Sequence, residues 1–143
     1  RASDTDKRTE KIMYSSNMQL HHVGIACENI TKSLPCVKKV YDVASVSGII
    51  FDKEQNTSLC LIKTKNGIAL ELISGITVNR LIKKGISYYH ICFTVKDIFA
   101  EIERLKDAGA ILVSSPKPAI LFKNKLVAFL YTHLGLIELL EET

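Results

Sequence analysis

Two histidines and two glutamates stand in this 143-residue chain inside runs that are otherwise apolar. His22 lies in "LHHVGIAC", His90 in "YHICFTV", Glu71 in "ALELI" and Glu138 in "LIELL". A neutral polar group left unpartnered in an apolar strand costs roughly 2–7 kcal/mol, and an ionised carboxylate costs more. A divalent ion removes that cost directly. Two neutral imidazoles and two carboxylates make a borderline-hard donor set suited to Zn, Ni, Co, Mn or Fe(II), with positions left for water or a substrate oxygen. A single histidine at a strand start, or a single glutamate at a strand end, is ordinarily structural. Four donors of two types at repeating positions point to a metal.

The positions repeat because the chain does. Laid without a gap on residues 89–98, residues 21–30 bring His22 onto His90, Val23 onto Ile91, Ile25 onto Phe93, Asn29 onto Asp97 and Ile30 onto Ile98. Glu71 and Glu138 are separated by almost the same interval. Successive side chains of a strand point to opposite faces. If Leu70, Leu72, Ile137 and Leu139 face covering helices, Glu71 and Glu138 face the other side. With Val23, Ile25, Ile91 and Phe93 turned outward, His22 and His90 face inward across a groove. His21 has no histidine counterpart, because Tyr89 stands there, and alternation turns it away from the groove. His133 sits in a turn-like segment without a counterpart. Neither is assigned to the site.

The elements that must carry these residues follow from the pattern. Residues 20–27 read as a strand, with Asn29 or Thr31 as the cap of a helix over 30–41 that aligns Ile30, Leu34, Val37 and Tyr41. Pro35 predicts a late start or a kink. Strands are predicted over 44–51, 57–63 and 68–73, separated by "DKEQN" and "KNG" and followed by a short connecting helix over 76–85. The order then recurs: a strand over 87–95, a helix over 98–108 between Asp97 and Gly109, short strands near 110–114 and 119–122, and strands over 125–131 and 135–141. Each half reads β-α-β-β-β. The predicted class is α+β, with two paired βαβββ modules (about 19–75 and 86–143) forming a cupped, barrel-like sheet in one domain over 19–143. Residues 1–18 are polar and weakly periodic, and are set aside as a disordered N-terminal segment or cloning remnant.

Composition narrows the function classes. Hydrophobic residues make up 47%, which supplies a core and excludes a disordered chain. The net charge of +4 is spread over scattered sites such as Lys38-Lys39 and Lys83-Lys84, so no nucleic-acid partner is expected. No apolar run reaches the roughly 18 residues of a membrane helix, and no signal peptide is visible, so no membrane partner is expected. Cys27, Cys36, Cys60 and Cys92 occur singly, without Cys-x-x-Cys spacing. They predict buried free thiols in a reducing compartment, the cytoplasm.

The motifs "HHVGIA", "ALELI", "YHICFTVKDI", "LKDAGA" with "SSPKP", and "LVAFLY" followed by "GLIELLE" run in an order and spacing that resembles the vicinal-oxygen-chelate superfamily, over about residues 20–141. That superfamily includes glyoxalase I, methylmalonyl-CoA epimerase, extradiol dioxygenases and bleomycin-resistance proteins, and the motifs look most like the epimerase branch. The resemblance implies the glyoxalase fold and metal ligands at His22, Glu71, His90 and Glu138. It implies a metal-dependent isomerase, epimerase or lyase that enolises a small-molecule carbonyl or thioester substrate, in a homodimer. For the proton transfer Glu138 is the first candidate and Glu71 the second. There are two departures. Some epimerases carry a second acid on the strand matching "NTSLCLI", which here has neither carboxylate nor histidine, and the "YTHLGL" loop is shorter than theirs. The alternatives are a non-catalytic ligand-binding or biosynthetic accessory protein of the same fold, and an Fe(II) dioxygenase.

Overall fold

Each half of the chain begins with a strand, a polar cap and a helix that folds back over the strand. The computed structural model describes residues 18–143, so the expectation for the N-terminal segment lies, but for Met18, outside the described residues. In the first half, strand β1 (Gln19–Ala26) leads to Asn29, whose side chain accepts a hydrogen bond from the Lys32 amide and starts helix α1 (Ile30–Val40). The helix starts on time and continues through Pro35, which has no N–H to offer the Thr31 carbonyl. Strands β2 (Val43–Val46) and β3 (Ile50–Asp52) replace the single strand expected over 44–51. The break falls at Ser47, whose backbone N–H donates to the Leu61 carbonyl while its hydroxyl accepts from the Leu61 amide. Strands β4 (Thr57–Thr64) and β5 (Ala69–Gly75) follow, and the short helix α2 (Asn79–Lys83) leads out of this half.

The second half opens with β6 (Tyr88–Val95) and the Asp97 cap, which accepts from the Ala100 amide at the start of helix α3 (Ile98–Asp107). Strand β7 (Ile111–Ala119) is continuous where two short strands were expected. Pro116 and Pro118 do not end it because β7 is an edge strand, with one row of N–H positions that no neighbour needs. A 3₁₀ turn (Ile120–Phe122) leads to β8 (Lys125–Thr132) and β9 (Gly135–Glu141).

The strands form one mixed sheet in the order β2-β4-β5-β1-β6-β9-β8-β7, with β3 also on β4. β1 is parallel to β5, β6 is parallel to β9, and the two halves meet where β1 runs antiparallel to β6. The sheet does not close into a barrel, because β2 and β7 end it. Helix α1 buries Ile30 and Val37 against Ile25, Ile62, Leu70 and Leu72. Helix α3 buries Ile98 and Ile102 against Ala128, Leu130 and Leu139. Each such side chain contributes about 1.5–3 kcal/mol by leaving water. Both helices thereby occupy one face of the sheet and leave the other face to the polar side chains. All four cysteines are free; Cys60 and Cys92 are buried as expected, whereas Cys36 is exposed on α1. Among the described residues no helix is long and apolar enough to cross a membrane.

Candidate metal centre

Glu71, His22, His90 and Glu138 sit on four neighbouring strands, β5, β1, β6 and β9 in that order. Glu71 and His90 both stand in register with Gly24, while Glu138 and His22 both stand in register with Cys92. Residues in register share a face. The four side chains therefore emerge together on the helix-free face, while Leu70, Leu72, Ile137 and Leu139 pack toward the helices as alternation requires. All four are buried: His22 is 0% exposed, His90 3%, Glu71 5% and Glu138 4%.

Their donor atoms lie within 4.8 Å of one another. His22 Nε2 is 3.2 Å from His90 Nε2, 3.0 Å from Glu138 Oε1 and 3.6 Å from Glu71 Oε1. His90 Nε2 is 3.3 Å from Glu138 Oε1 and 3.7 Å from Glu71 Oε1. Ligands about 2.1 Å from a tetrahedral centre are about 3.4 Å apart, and these separations bracket that value. Glu138 Oε1, although close to both rings, accepts no hydrogen bond of acceptable geometry. A buried carboxylate oxygen crowded by donors yet bonded to none fits a cation's ligand better than a hydrogen-bond acceptor. The cluster is consistent with a divalent metal site.

Two β-bulges shape it, one in each half. Along β1 the partner of Leu20 is Phe93 and that of His22 is Cys92, so His21 is an extra residue. Along β6 the partner of His90 is Gly24 and that of Tyr88 is Ile25, so Tyr89 is the extra residue. These are matched positions of the repeat. A bulge breaks the two-residue alternation, and this overturns the expectation for His21. Its Nδ1 lies 2.8 Å from His22 Nδ1, and its ring meets Phe122 edge-on at 5.3 Å. A neutral imidazole has one N–H and one lone pair. With the Nε2 lone pair turned to the cluster, His22 carries its proton on Nδ1 and donates it to His21, the arrangement that orients a metal-ligating ring. Tyr89 instead sets its ring edge-on to His90 at 4.5 Å. His133 lies beside Gly109, outside the cluster.

Gly24, the glycine of "HHVGIA", is the floor under His90. A Cβ there would come within 2.0 Å of His90 Cε1 and 2.2 Å of its Nδ1, so only glycine admits the ring. The matched residue of the second half is Cys92, wholly buried.

The electrostatics bind the cluster into one unit. Burial opposes the charging of His22, but the adjacent Glu138 and Glu71 carboxylates outweigh it and raise its pKa to about 9. Burial likewise pushes Glu138 up, and the two imidazoles overcome it and bring the carboxyl down to about 2. Without a cation the cluster thus holds a proton as an imidazolium–carboxylate pair. Burial and then the neighbouring His22 lower the pKa of His21, which keeps it neutral. Burial and the carboxylates push the Tyr89 phenol and the Cys92 thiol up, so both stay protonated at neutral pH.

A cavity of about 440 Å³ opens over Glu71 and Glu138, walled by apolar side chains including Val127 and Phe129. From β4 it takes Thr57 and Leu59. Asp52 and Lys117 also line it, and neither was singled out in the sequence. Asp52 accepts from the Glu54 and Gln55 amides in the turn after β3, and Lys117 reaches the groove from the edge strand β7. Both owe their position to loop and edge geometry, which no local pattern encodes.

A sequence profile of the Glyoxalase/Bleomycin resistance protein/Dioxygenase superfamily matches residues 21–129. No curated protein matches by sequence. Among solved structures, a hypothetical protein from Bacillus halodurans C-125 superposes with a TM-score of 0.74 at 24% identity, covering 89% of this chain and 96% of its own. Methylmalonyl-CoA epimerase from Mycobacterium tuberculosis gives 0.72 at 20% identity, over 87% of each chain. A Streptomyces coelicolor methylmalonyl-CoA epimerase variant in complex with 2-nitronate-propionyl-CoA gives 0.69 at 23% identity, over 86% of this chain and 96% of that one. Likenesses at these identities establish the fold.

Proposed function

The chain belongs to the Glyoxalase/Bleomycin resistance protein/Dioxygenase superfamily, and on that premise we propose that it is a metal-dependent isomerase, epimerase or lyase that enolises a small carbonyl or thioester substrate. The observation that carries this reading is the buried His22/Glu71/His90/Glu138 quartet at the base of an apolar-walled groove. A divalent ion held by those four residues supplies a Lewis acid to a carbonyl or thioester oxygen. The apolar part of the groove wall lowers the local dielectric and so strengthens charge interactions at the base. Glu138 is the proposed acceptor of the α-proton. Glu71, on the far side of the histidine pair, is the second candidate. Return of the proton by the same carboxylate to the neighbouring carbon of the enolate isomerises the substrate. Delivery to the opposite face of the α-carbon by the other carboxylate, protonated beforehand, inverts that carbon while the first keeps the proton it took.

A thioester is favoured among carbonyl substrates because solved epimerases of the same fold hold methylmalonyl-CoA or 2-nitronate-propionyl-CoA. Lys117 offers a cation at the groove for anionic parts of such a ligand. A homodimer is proposed from the family resemblance alone, and the cytoplasm from the free thiols. A second reading, a ligand-binding protein without turnover, draws support from Thr57 and Leu59, which put no acid into the groove from β4.

The test joins metal analysis to proton exchange. About one divalent ion per chain, lost in His90→Ala, together with deuterium entering the α-carbon of an acyl-CoA in heavy water and stopped by Glu138→Gln, is the expected result. An ion without exchange leaves the binding protein. Iron with oxygen uptake replaces enolisation by dioxygenase chemistry.

A further inference from the structure

The repeat supplies an internal control for a second set of donors. His22 and His90 occupy matched positions, and each is flanked by a bulged residue and faced across the strands by the residue two places beyond its partner histidine. Around His90 those neighbours are Tyr89, which meets the ring edge-on, and Gly24, and neither supplies a nitrogen or sulfur donor. Around His22 they are His21 and Cys92.

We propose that His21, Cys92 and the Nδ1 side of His22 form a second cation site, specific for a thiophilic ion, that shares the His22 ring with the first. One donor atom from each of the three residues lies within 4.8 Å of those of the other two. His21 Nδ1 is 2.8 Å from His22 Nδ1, and Cys92 is the direct cross-strand partner of His22. Cys92 is a free, wholly buried thiol that makes a long, 4.0 Å contact with the Phe93 carbonyl. His21 is only part-buried, so the cluster is not sealed from solvent at that residue.

The donor chemistry separates the two sites. The first set is nitrogen and oxygen. The second is two imidazoles and a sulfur, which select Zn²⁺ or Cu⁺ over Mg²⁺, Ca²⁺ or Mn²⁺. Occupying it releases two protons, one from the Cys92 thiol and one from His22 Nδ1, and changes no oxidation state. With both sites filled, the His22 ring bridges the two ions through its two nitrogens. The inference rests on donor geometry and does not depend on the enolisation reading.

Cobalt(II), a spectroscopic stand-in for zinc, tests it in the intact protein. The expected result is a thiolate-to-cobalt charge-transfer band in the near ultraviolet that is lost in Cys92→Ser, diminished in His21→Ala and retained in His90→Ala. The zinc-loaded unmutated protein gives a check that needs no variant, since X-ray absorption should show a sulfur neighbour at about 2.3 Å. Cobalt binding without the band, or a band that survives in Cys92→Ser, overturns the proposal. Weaker cobalt binding in His21→Ala with no sulfur signature anywhere also overturns it, and leaves His21 with the sole role of orienting His22. Failure of the first site is seen separately, as the absence of any ion sensitive to His90→Ala.

Discussion

His22 and His90 are presented by matched strands, behind matched bulges, to the same pair of carboxylates, yet they are held in place by different forces. His22 is positioned by hydrogen bonding and stacking: His21 stands on its Nδ1, and the Phe122 ring lies nearly parallel to it at 18° and 5.3 Å. His90 is positioned by shape. Among the described residues its Nδ1 has no hydrogen-bond partner, Gly24 leaves room for the ring, and Tyr89 and Phe129 close on it edge-first at 4.5 and 5.3 Å. A duplicated fold therefore constrains where the donor atoms go and leaves open how each is supported.

The largest effect on that contrast comes from filling the space under His90. Gly24→Ala should expel the ring and abolish binding at the first site, measured by isothermal titration, while circular dichroism still reports a folded sheet. At the matched position of the other half, Cys92→Ala should leave the first site's binding intact.

The next effect is on stability and pH in the metal-free protein. The raised pKa of His22, about 9 against 6.5, adds stability that is complete below pH 6.5 and lost as pH rises through 9. The lowered pKa of Glu138, about 2 against 4.5, adds stability present above pH 4.5 and lost as pH falls through 2. Both describe one ion pair, so the metal-free fold should be most stable from pH 4.5 to 6.5 and should lose on the order of 3 kcal/mol beyond pH 9. Saturating metal should reverse the upper slope, because the cation needs His22 deprotonated. Urea titrations with and without chelator would show both.

Smaller still, His21→Ala should weaken metal binding about 10–100-fold by removing the acceptor for His22 Nδ1–H. Tyr89→Phe, at the matched position, should leave the affinity unchanged, since Tyr89 supports His90 through its ring. A similar loss in Tyr89→Phe would erase the distinction between the halves. The smallest effect concerns the helices: Pro35→Glu, which imports the residue matched at Glu103, should stabilise the chain by on the order of 1 kcal/mol in thermal melts.

Much of this was legible before folding was considered. The four donors, both helix caps and the β-α-β-β-β order follow from residue types, apolar spacing and the echo of residues 21–30 in 89–98. Local pattern failed where the answer lay between strands. Alternation placed His22 and His90 on the correct face, and misplaced His21 because a bulge is a property of the register between β1 and β6. The prolines in 111–119 read as a break because their tolerance depends on β7 being an edge.

The sequence by itself determined which atoms could bind a cation and that the two halves would present them in pairs, since duplicated strands of alternating polarity have one way to bury their leucines. Only the tertiary structure decided that the glutamate oxygens and imidazole nitrogens come within 3.0–3.7 Å of each other. It alone turned His21 and Cys92 toward one ring and set Gly24 beneath the other. Those distances depend on the pairing of β1 with β6, and a pairing register is a relation between two segments that neither carries on its own.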